Sequence, residues 1–167
     1  MNSLNFDRIL QEPVPVYMGP LPVQYEDIPA KVVINMCGEF PSGDAGAYMT
    51  LSMPLFDVQD SQFLPDRGEF ERFLQEVHRY AADQPSYWHC HAGINRSGLA
   101  LAAYLTLYRD LRISNAIQLL RRRRSPLVLC NSLFERTLRQ WYGGPDEQHF
   151  EPFSVEAYLA GRLGSIV

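Results

Sequence analysis

A single α/β domain with a central, mostly parallel sheet flanked by helices is the fold class this sequence predicts, on three observations. The chain has 167 residues, the size of one compact domain. At 46% hydrophobic and 20% charged residues it can fill a core and is too apolar to stay disordered. Short β-branched or aromatic runs alternate with segments of helical periodicity, as in sheets whose strands are joined by helices. No internal repeat or low-complexity tract breaks the pattern.

The elements follow in chain order. Five prolines (Pro13, Pro15, Pro20, Pro22, Pro29) in the first 30 residues suit an extended segment with turns. Lys31–Met36 is a β-branched run expected to be a buried strand, and Gly38–Gly46, with three glycines, a loop. Tyr48–Leu55 is a second strand candidate that ends at Pro54-Leu55-Phe56-Asp57. Asp66-x-x-Glu69 caps a helix in which Phe70, Phe73, Leu74, Val77 and Ala81 recur at helical spacing, and Gln84-Pro85 stops it. Ser86–His89 is a short strand, Cys90–Ser97 a loop, and Gly98–Arg109 a helix apolar nearly all round, hence buried. Ser114–Arg124 and Ser132–Tyr142 are helices, the second opened by a Ser132-x-x-Glu135 capping box and closed at Gly143-Gly144. Residues 145–167 form a tail whose Phe153, Val155, Tyr158, Leu159 and Leu163 suit a short docking helix.

Several classes are disfavoured. The net charge of −4 gives no whole-chain attraction to nucleic acid or anionic membranes, so neither is expected as a partner. Cys37, Cys90 and Cys130 are odd in number and widely spaced, which fits a reducing compartment better than a disulfide framework. The first residues show no basic segment followed by an apolar core, so no signal peptide is read. Leu99–Tyr108 is far shorter than the ~20 residues that cross a bilayer. A soluble, cytoplasmic protein is the expectation.

The chemistry concentrates in Tyr87-Trp88-His89-Cys90-His91-Ala92-Gly93-Ile94-Asn95-Arg96-Ser97-Gly98. A strand feeds a short loop with glycines at 93 and 98, and the loop feeds a helix. Backbone N–H groups of such a loop can turn inward as an anion nest, and the helix N-terminus adds unpaired donors and the positive end of its dipole. Cys90 opens this cradle. A free thiol has a pKa near ~8.5, and such surroundings lower it by several units, so a thiolate able to attack phosphorus is present at neutral pH. Arg96 closes the cradle with a planar fork that binds two phosphate oxygens at once.

These residues match the Cys-x5-Arg loop of the cysteine-dependent protein tyrosine phosphatase superfamily, and His-Cys-x-x-Gly-x-x-Arg-Ser-Gly resembles its dual-specificity branch. Val16-Tyr17-Met18-Gly19, Val32–Met36, Pro54-x-x-Asp57, the arginine-rich helix, Asn131 and Phe134 extend the similarity over roughly residues 13 to 142. The resemblance implies a phosphatase loop between a strand and a buried helix, formed by His91, Ala92, Gly93, Ile94, Asn95 and Arg96. It implies that Cys90 is the nucleophile and Arg96 the phosphate clamp. Ser97 would hydrogen-bond the sulfur and assist breakdown of a phosphocysteine, and His89 would orient the loop and help set the thiol pKa. The expected organisation is a catalytic domain over residues 1–144 and a tail over 145–167.

The leaving group needs a proton, which the family takes from an aspartate on an upstream loop. The Pro-x-x-Asp spacing favours Asp57; counting back from Phe70 favours Asp60, which stays the alternative. The route requires no cofactor and no metal, and His89 and His91 flank Cys90 on an extended chain that points them apart. Arg121–Arg124 fan out around a helix, so most are expected to be solvated or capping, with one of them, Arg124 first, expected to brace the loop or touch an anionic substrate. Asn131 either holds backbone near the loop or caps a helix. Cys37 lies at the ligand edge of the sheet, as a small buried residue or a redox partner of Cys90.

The larger tyrosine-specific members of the superfamily carry extra segments that build a deep phosphotyrosine pocket, and this chain is too short to hold them. The resemblance therefore implies a shallower cleft, with phosphotyrosine and phosphoserine/threonine in proteins as the expected substrates. The variable loop positions His91, Ala92, Ile94 and Asn95 carry no lysine, whereas lipid-phosphate members of the superfamily often place lysines there, so the resemblance argues mildly against phosphoinositides. A non-protein phosphoester (phosphoinositide, phosphosugar or RNA 5′ phosphate) and a non-catalytic phospho-binding module are the alternatives. Oligomeric state is not legible.

Overall fold

The computed structural model describes residues 5–164; residues 1–4 and 165–167, the outer ends of the expected domain and tail, lie outside the described residues. The strands are β1 (Asp7–Leu10), β2 (Val16–Gly19), β3 (Val32–Asn35), β4 (Met49–Ser52) and β5 (Ser86–His89). They form one sheet in the order β1-β2-β5-β3-β4. β2, β5, β3 and β4 are parallel, and β1 runs antiparallel to β2 at the edge. The helices are α1 (Arg67–Ala81), α2 (Arg96–Tyr108), α3 (Ile113–Arg123), α4 (Ser132–Tyr142) and α5 (Val155–Gly164).

Side chains alternate across the sheet with the period of two that a strand imposes. Val16, Met18, Val32, Ile34 and Trp88 enter the main core with the buried faces of α1 to α4. Tyr17, Val33 and Tyr87 point the other way and meet Tyr25, Ile28 and Tyr48. Helix α2 is buried without a break from Ser97 to Leu105, as its all-round apolarity requires. Each of its leucines in that span contributes about 1.5–3 kcal/mol by leaving water. Among the described residues no helix is long and apolar enough to cross a membrane.

The structure corrects several local expectations. Strand β1 lies in the proline-rich start: of its four residues only Ile9 is buried, so Asp7 and Arg8 hide an edge strand from pattern reading. Helix α2 begins at Arg96 rather than Gly98, because Asn95 already has helical backbone angles and its carbonyl accepts from Leu99 at 2.8 Å. The Ser132–Glu135 capping box does not form. Asn131 caps α4 by accepting from the N–H groups of Leu133 and Phe134, while Glu135 is buried and paired with Arg121 and Arg139 at 2.6 and 3.0 Å.

Of the four arginines, Arg122 and Arg123 are exposed, whereas Arg121 and Arg124 are half-buried and hydrogen-bonded into the body. The tail does form a helix, α5, but it buries no residue and leaves Val155, Leu159 and Leu163 exposed. Ahead of the helix the tail meets the body: Arg139 lies 4.4 Å over the Phe150 ring and Arg121 5.4 Å over Phe153.

Candidate active site

Parallel strands bring their carboxyl ends to one edge, the usual ligand edge of an α/β sheet. There β5 runs into residues 90–95, β3 into Met36 and Cys37, and β4 into the segment that carries Asp57. Backbone bonds extend the ladder past the strand ends. Met36 donates to the His89 carbonyl at 2.9 Å, Met53 to Asn35 at 3.0 Å and Leu55 to Met36 at 3.1 Å. Three loops are thereby held side by side.

The loop after β5 is shaped from outside. The His91 carbonyl accepts from Leu21 N at 3.1 Å and the Ile94 carbonyl from Leu129 N at 3.4 Å. Arg124 donates through Nη2 to the Ala92 carbonyl at 3.3 Å and through Nε to the Gly93 carbonyl at 3.2 Å. Four successive carbonyls are thus held outward, and the amides between them turn inward. Gly93 has φ +66° and lies so close to the Gly19-Pro20 backbone that a Cβ would collide with the Gly19 carbonyl, so only glycine fits. Below it, the Tyr87 hydroxyl donates to the Pro20 carbonyl at 2.6 Å. Arg124 is itself anchored by Asp7 Oδ2 of β1 at 2.9 Å.

Cys90 lies at the floor of this cradle, 1% exposed, with Sγ 3.4 Å from Ser97 Oγ. Burial pushes its thiol pKa up. Hydrogen bonds from the Ser97 hydroxyl and from the N–H groups of Ser97, Ile94 and Gly93 outweigh burial and bring it below the ordinary value. Arg96 Nη1 donates to the Leu55 carbonyl at 3.3 Å, and its buried Nε has no partner among the described residues, a donor suited to an oxyanion. His89 is fully buried, and neither ring nitrogen has a well-formed hydrogen bond among the described residues; burial pushes its pKa down to about 4, against the weaker upward pull of the nearby Cys90 backbone and of the Glu39 charge. His91 points to the rim and sits 3.3 Å from Glu39 Oε2.

Asp57 reaches the loop. Its Oδ2 accepts from Asn95 Nδ2 at 3.0 Å and its Oδ1 from Asn131 Nδ2 at 2.9 Å. Asp60 does not: it caps a turn at Ser61–Phe63, accepting from Gln62 N at 3.0 Å. Asn131 caps α4 and also donates to Asp57 and to the Val58 carbonyl at 3.1 Å. Cys37 is half-buried and free, close enough to Cys90 and Arg96 for their charges to act on it, and burial raises its pKa. Cys130 lies 3.5 Å from the Asn95 amide nitrogen.

The structure therefore brings Cys90, Arg96, Ser97, Asn95, Asn131, Arg124 and Asp57 together and leaves Asp60 outside. Sequence reasoning missed Asp7 and Glu39. Asp7 lies 117 positions from its partner Arg124, and nothing in the local pattern announces the pair. Glu39 is presented by a turn built on buried Asn35, whose Oδ1 accepts from Cys37 N and Gly38 N and whose Nδ2 donates to the Glu39 carbonyl at 2.8 Å. An asparagine at a strand end before a glycine was the available signal. Among the described residues no group of three His, Cys, Asp or Glu could hold a metal ion.

Comparison with known proteins gives one family. The model of the dual specificity phosphatase catalytic domain matches residues 17–143. No curated protein sequence matches the chain. Among solved structures, PTPMT1 in complex with PI(5)P is similar at 20% identity and a TM-score of 0.58, over 81% of this chain and 96% of that one. A mouse putative dual specificity phosphatase complexed with zinc tungstate is similar at 20% identity and a TM-score of 0.64, over 83% and 86%. Human DUSP28 is similar at 20% identity and a TM-score of 0.63, over 83% and 93%. At these identities the structural likeness establishes the fold.

Proposed function

The chain belongs to the dual specificity phosphatase catalytic-domain family, and from that premise we propose that it hydrolyses phosphate esters of protein side chains through a phosphocysteine on Cys90. The observation that carries the reading is the thiol at the focus of inward amides, its pKa lowered by Gly93, Ile94 and Ser97, with Arg96 beside it.

In the first step the Cys90 thiolate attacks phosphorus. The S–P bond forms, the P–O bond to the leaving group breaks, and that oxygen takes its electron pair together with a proton from the Asp57 carboxyl. Inward N–H groups and the Arg96 guanidinium meet the charge on the equatorial oxygens. In the second step water attacks phosphorus and gives a proton back to Asp57. The S–P bond breaks, inorganic phosphate leaves and the thiolate returns, with the Ser97 hydroxyl hydrogen-bonded to the departing sulfur.

Protein substrates are favoured by the charge around the mouth. Arg96 is the cation at the loop itself, because Arg124 is turned to the outside of the loop and bound to Asp7. Glu39 stands on the rim beside His91, and its charge reaches His89 and Cys37. A second phosphate on an inositol ring would meet that carboxylate, whereas a single phosphate on a peptide would not. A lipid phosphoester is the second reading, supported by the fold shared with PTPMT1, which has been solved with PI(5)P. The free cysteines support a reducing, cytoplasmic setting. We also place the catalytic domain at residues 1–144, with 145–167 as a tail outside it.

A screen of purified protein against phosphotyrosine and phosphothreonine peptides, phosphoinositides and phosphosugars tests the reading, with Cys90→Ser as the background control. Turnover of phosphopeptides well above inositol lipids is expected. Preference for a lipid would replace the protein assignment, and phosphate binding without turnover by the unaltered chain would leave only a binding module.

A further inference from the structure

We infer that Asn95, a residue of the phosphate loop itself, is a positioning residue for the proton donor: together with Asn131 it locks Asp57 in its working orientation before substrate arrives. The inference rests on Asp57 being the acid and adds a residue that acts through it.

The orientation of both amides is decided by donors that admit no alternative. Asn95 Oδ1 faces the backbone N–H of Asn131 at 3.0 Å, so that atom must be the oxygen, and the amino group is left for Asp57 Oδ2 at 3.0 Å. Asn131 Oδ1 accepts from Leu133 N and Phe134 N at 3.1 and 3.4 Å, which turns its amino group to Asp57 Oδ1 at 2.9 Å and the Val58 carbonyl at 3.1 Å. The first turn of α4 thereby aims two NH₂ groups at the two oxygens of one carboxyl. Each carboxyl oxygen offers two acceptor directions, so one on each remains for the transferable proton and the leaving group.

Asp57 is exposed, and an exposed carboxyl held by nothing would sample several rotamers. Here it is fixed at both oxygens, while Arg96 holds the Leu55 carbonyl two residues upstream at 3.3 Å. Asn95 and Arg96 are consecutive residues of the phosphate loop. The acid loop is therefore fastened to the loop that carries the nucleophile, and the two are set as one piece. The spacing between proton donor and sulfur is preset rather than assembled on binding.

The test compares esters that differ in their need for an acid: phenyl phosphate, whose leaving group must be protonated, and 2,4-dinitrophenyl phosphate, whose leaving group need not be. Asn95→Ala is expected to lower kcat on phenyl phosphate by ~10- to 100-fold, a misplaced acid losing part of its usual contribution, and on the activated ester by less than ~3-fold. Affinity for vanadate should stay within ~3-fold, because the amides around Cys90 remain. In an Asp57→Ala background, adding Asn95→Ala should cost no more than ~2-fold on phenyl phosphate, the signature of a residue that acts through another. Equal losses on both esters, or losses that multiply in the double variant, would overturn the inference. Asn95→Asp, nearly isosteric, turns the donor into an acceptor against Asp57 and should lose at least as much; it decides the matter if the alanine variant does not fold. Asp57→Ala measured alone separates the levels: if it shows no dependence on the leaving group, the acid assignment has failed rather than the clamp.

Discussion

The phosphate loop and the acid loop face each other across the same site and are held in opposite ways. The phosphate loop is fixed mainly through its main chain. Its carbonyls at 91 to 94 are each bound from outside, and Gly93 is wedged against the Gly19-Pro20 backbone. The acid loop is fixed mainly by side chains, through Asn95, Asn131 and Arg96. The difference separates two jobs. A nest of amides must keep its shape for every substrate, whereas a proton donor matters in proportion to how poor the leaving group is.

Breaking the main-chain side of this comparison should have the largest effect. Gly93→Ala forces a Cβ into the Gly19 carbonyl at a positive φ. Loss of turnover on every ester, loss of vanadate binding and destabilisation of about 2–4 kcal/mol are expected, read by denaturant unfolding. Breaking the side-chain side should be selective. Asp57→Ala is expected to slow hydrolysis of phenyl phosphate by ~10²–10³-fold and of a strongly activated ester far less. Asp60→Ala, at a turn cap away from the loop, should change neither. If the two aspartates exchange these behaviours, Asp60 is the acid and the contrast between the loops has to be redrawn.

A smaller effect sharpens the comparison from behind the loop. Arg124 supplies two of the four outward ties and takes its orientation from Asp7. Arg124→Gln should let the Ala92-Gly93 peptides relax. The amides then stabilise the thiolate less, and the Cys90 pKa rises toward its ordinary value. The rate of iodoacetamide alkylation against pH reads this as a shift to higher pH, and vanadate affinity should fall by ~10-fold, about 1.4 kcal/mol for a weakened set of charge-assisted hydrogen bonds. Asp7→Asn should move both readouts in the same direction by less. An unshifted alkylation profile in folded Arg124→Gln would mean that the loop keeps its shape without help from α3.

What the sequence shows of this site depends on how far apart the partners are. Cys90, Gly93, Arg96 and Ser97 lie within eight positions, and their spacing on a strand-to-helix turn carries the chemistry openly. A mostly parallel sheet is expected from the pattern and found, but only α1 lies between two strands, β4 and β5. Strands β2, β3 and β4 follow one another through loops and short 3-10 turns, so the order β2-β5-β3-β4 is not legible in the sequence. Strand β1 does not announce itself, because an edge strand with one buried side chain has almost no hydrophobic pattern. The Asp7–Arg124 pair joins residues 117 positions apart in the sequence, and the local motif at Ser132–Glu135 suggests a cap because the buried partners of Glu135, Arg121 and Arg139, cannot be seen from it. Asn95 looked like a variable loop position; only the tertiary placement of Asp57 and α4 gives it work.

His89 supplies the expected effect that is read in stability against pH. Its ring is fully buried with both nitrogens unpartnered among the described residues, so the charged form is disfavoured and the folded pKa drops from the ordinary 6.5 to about 4. Between these two values the unfolded chain binds the proton and the folded one does not. Stability therefore falls as pH drops below 6.5 and the loss levels off below 4. From about pH 6.5 to pH 5 this single group should cost on the order of 1–2 kcal/mol. His89→Leu, which keeps an apolar group of similar reach beneath the loop, should flatten that slope when unfolding free energies are measured at the two pH values. If it moves the alkylation profile of Cys90 as well, His89 tunes the thiol in addition to filling space beneath it. If it flattens the stability slope alone, thiol tuning rests with the amides and Ser97, and the nest is self-sufficient on its inner side.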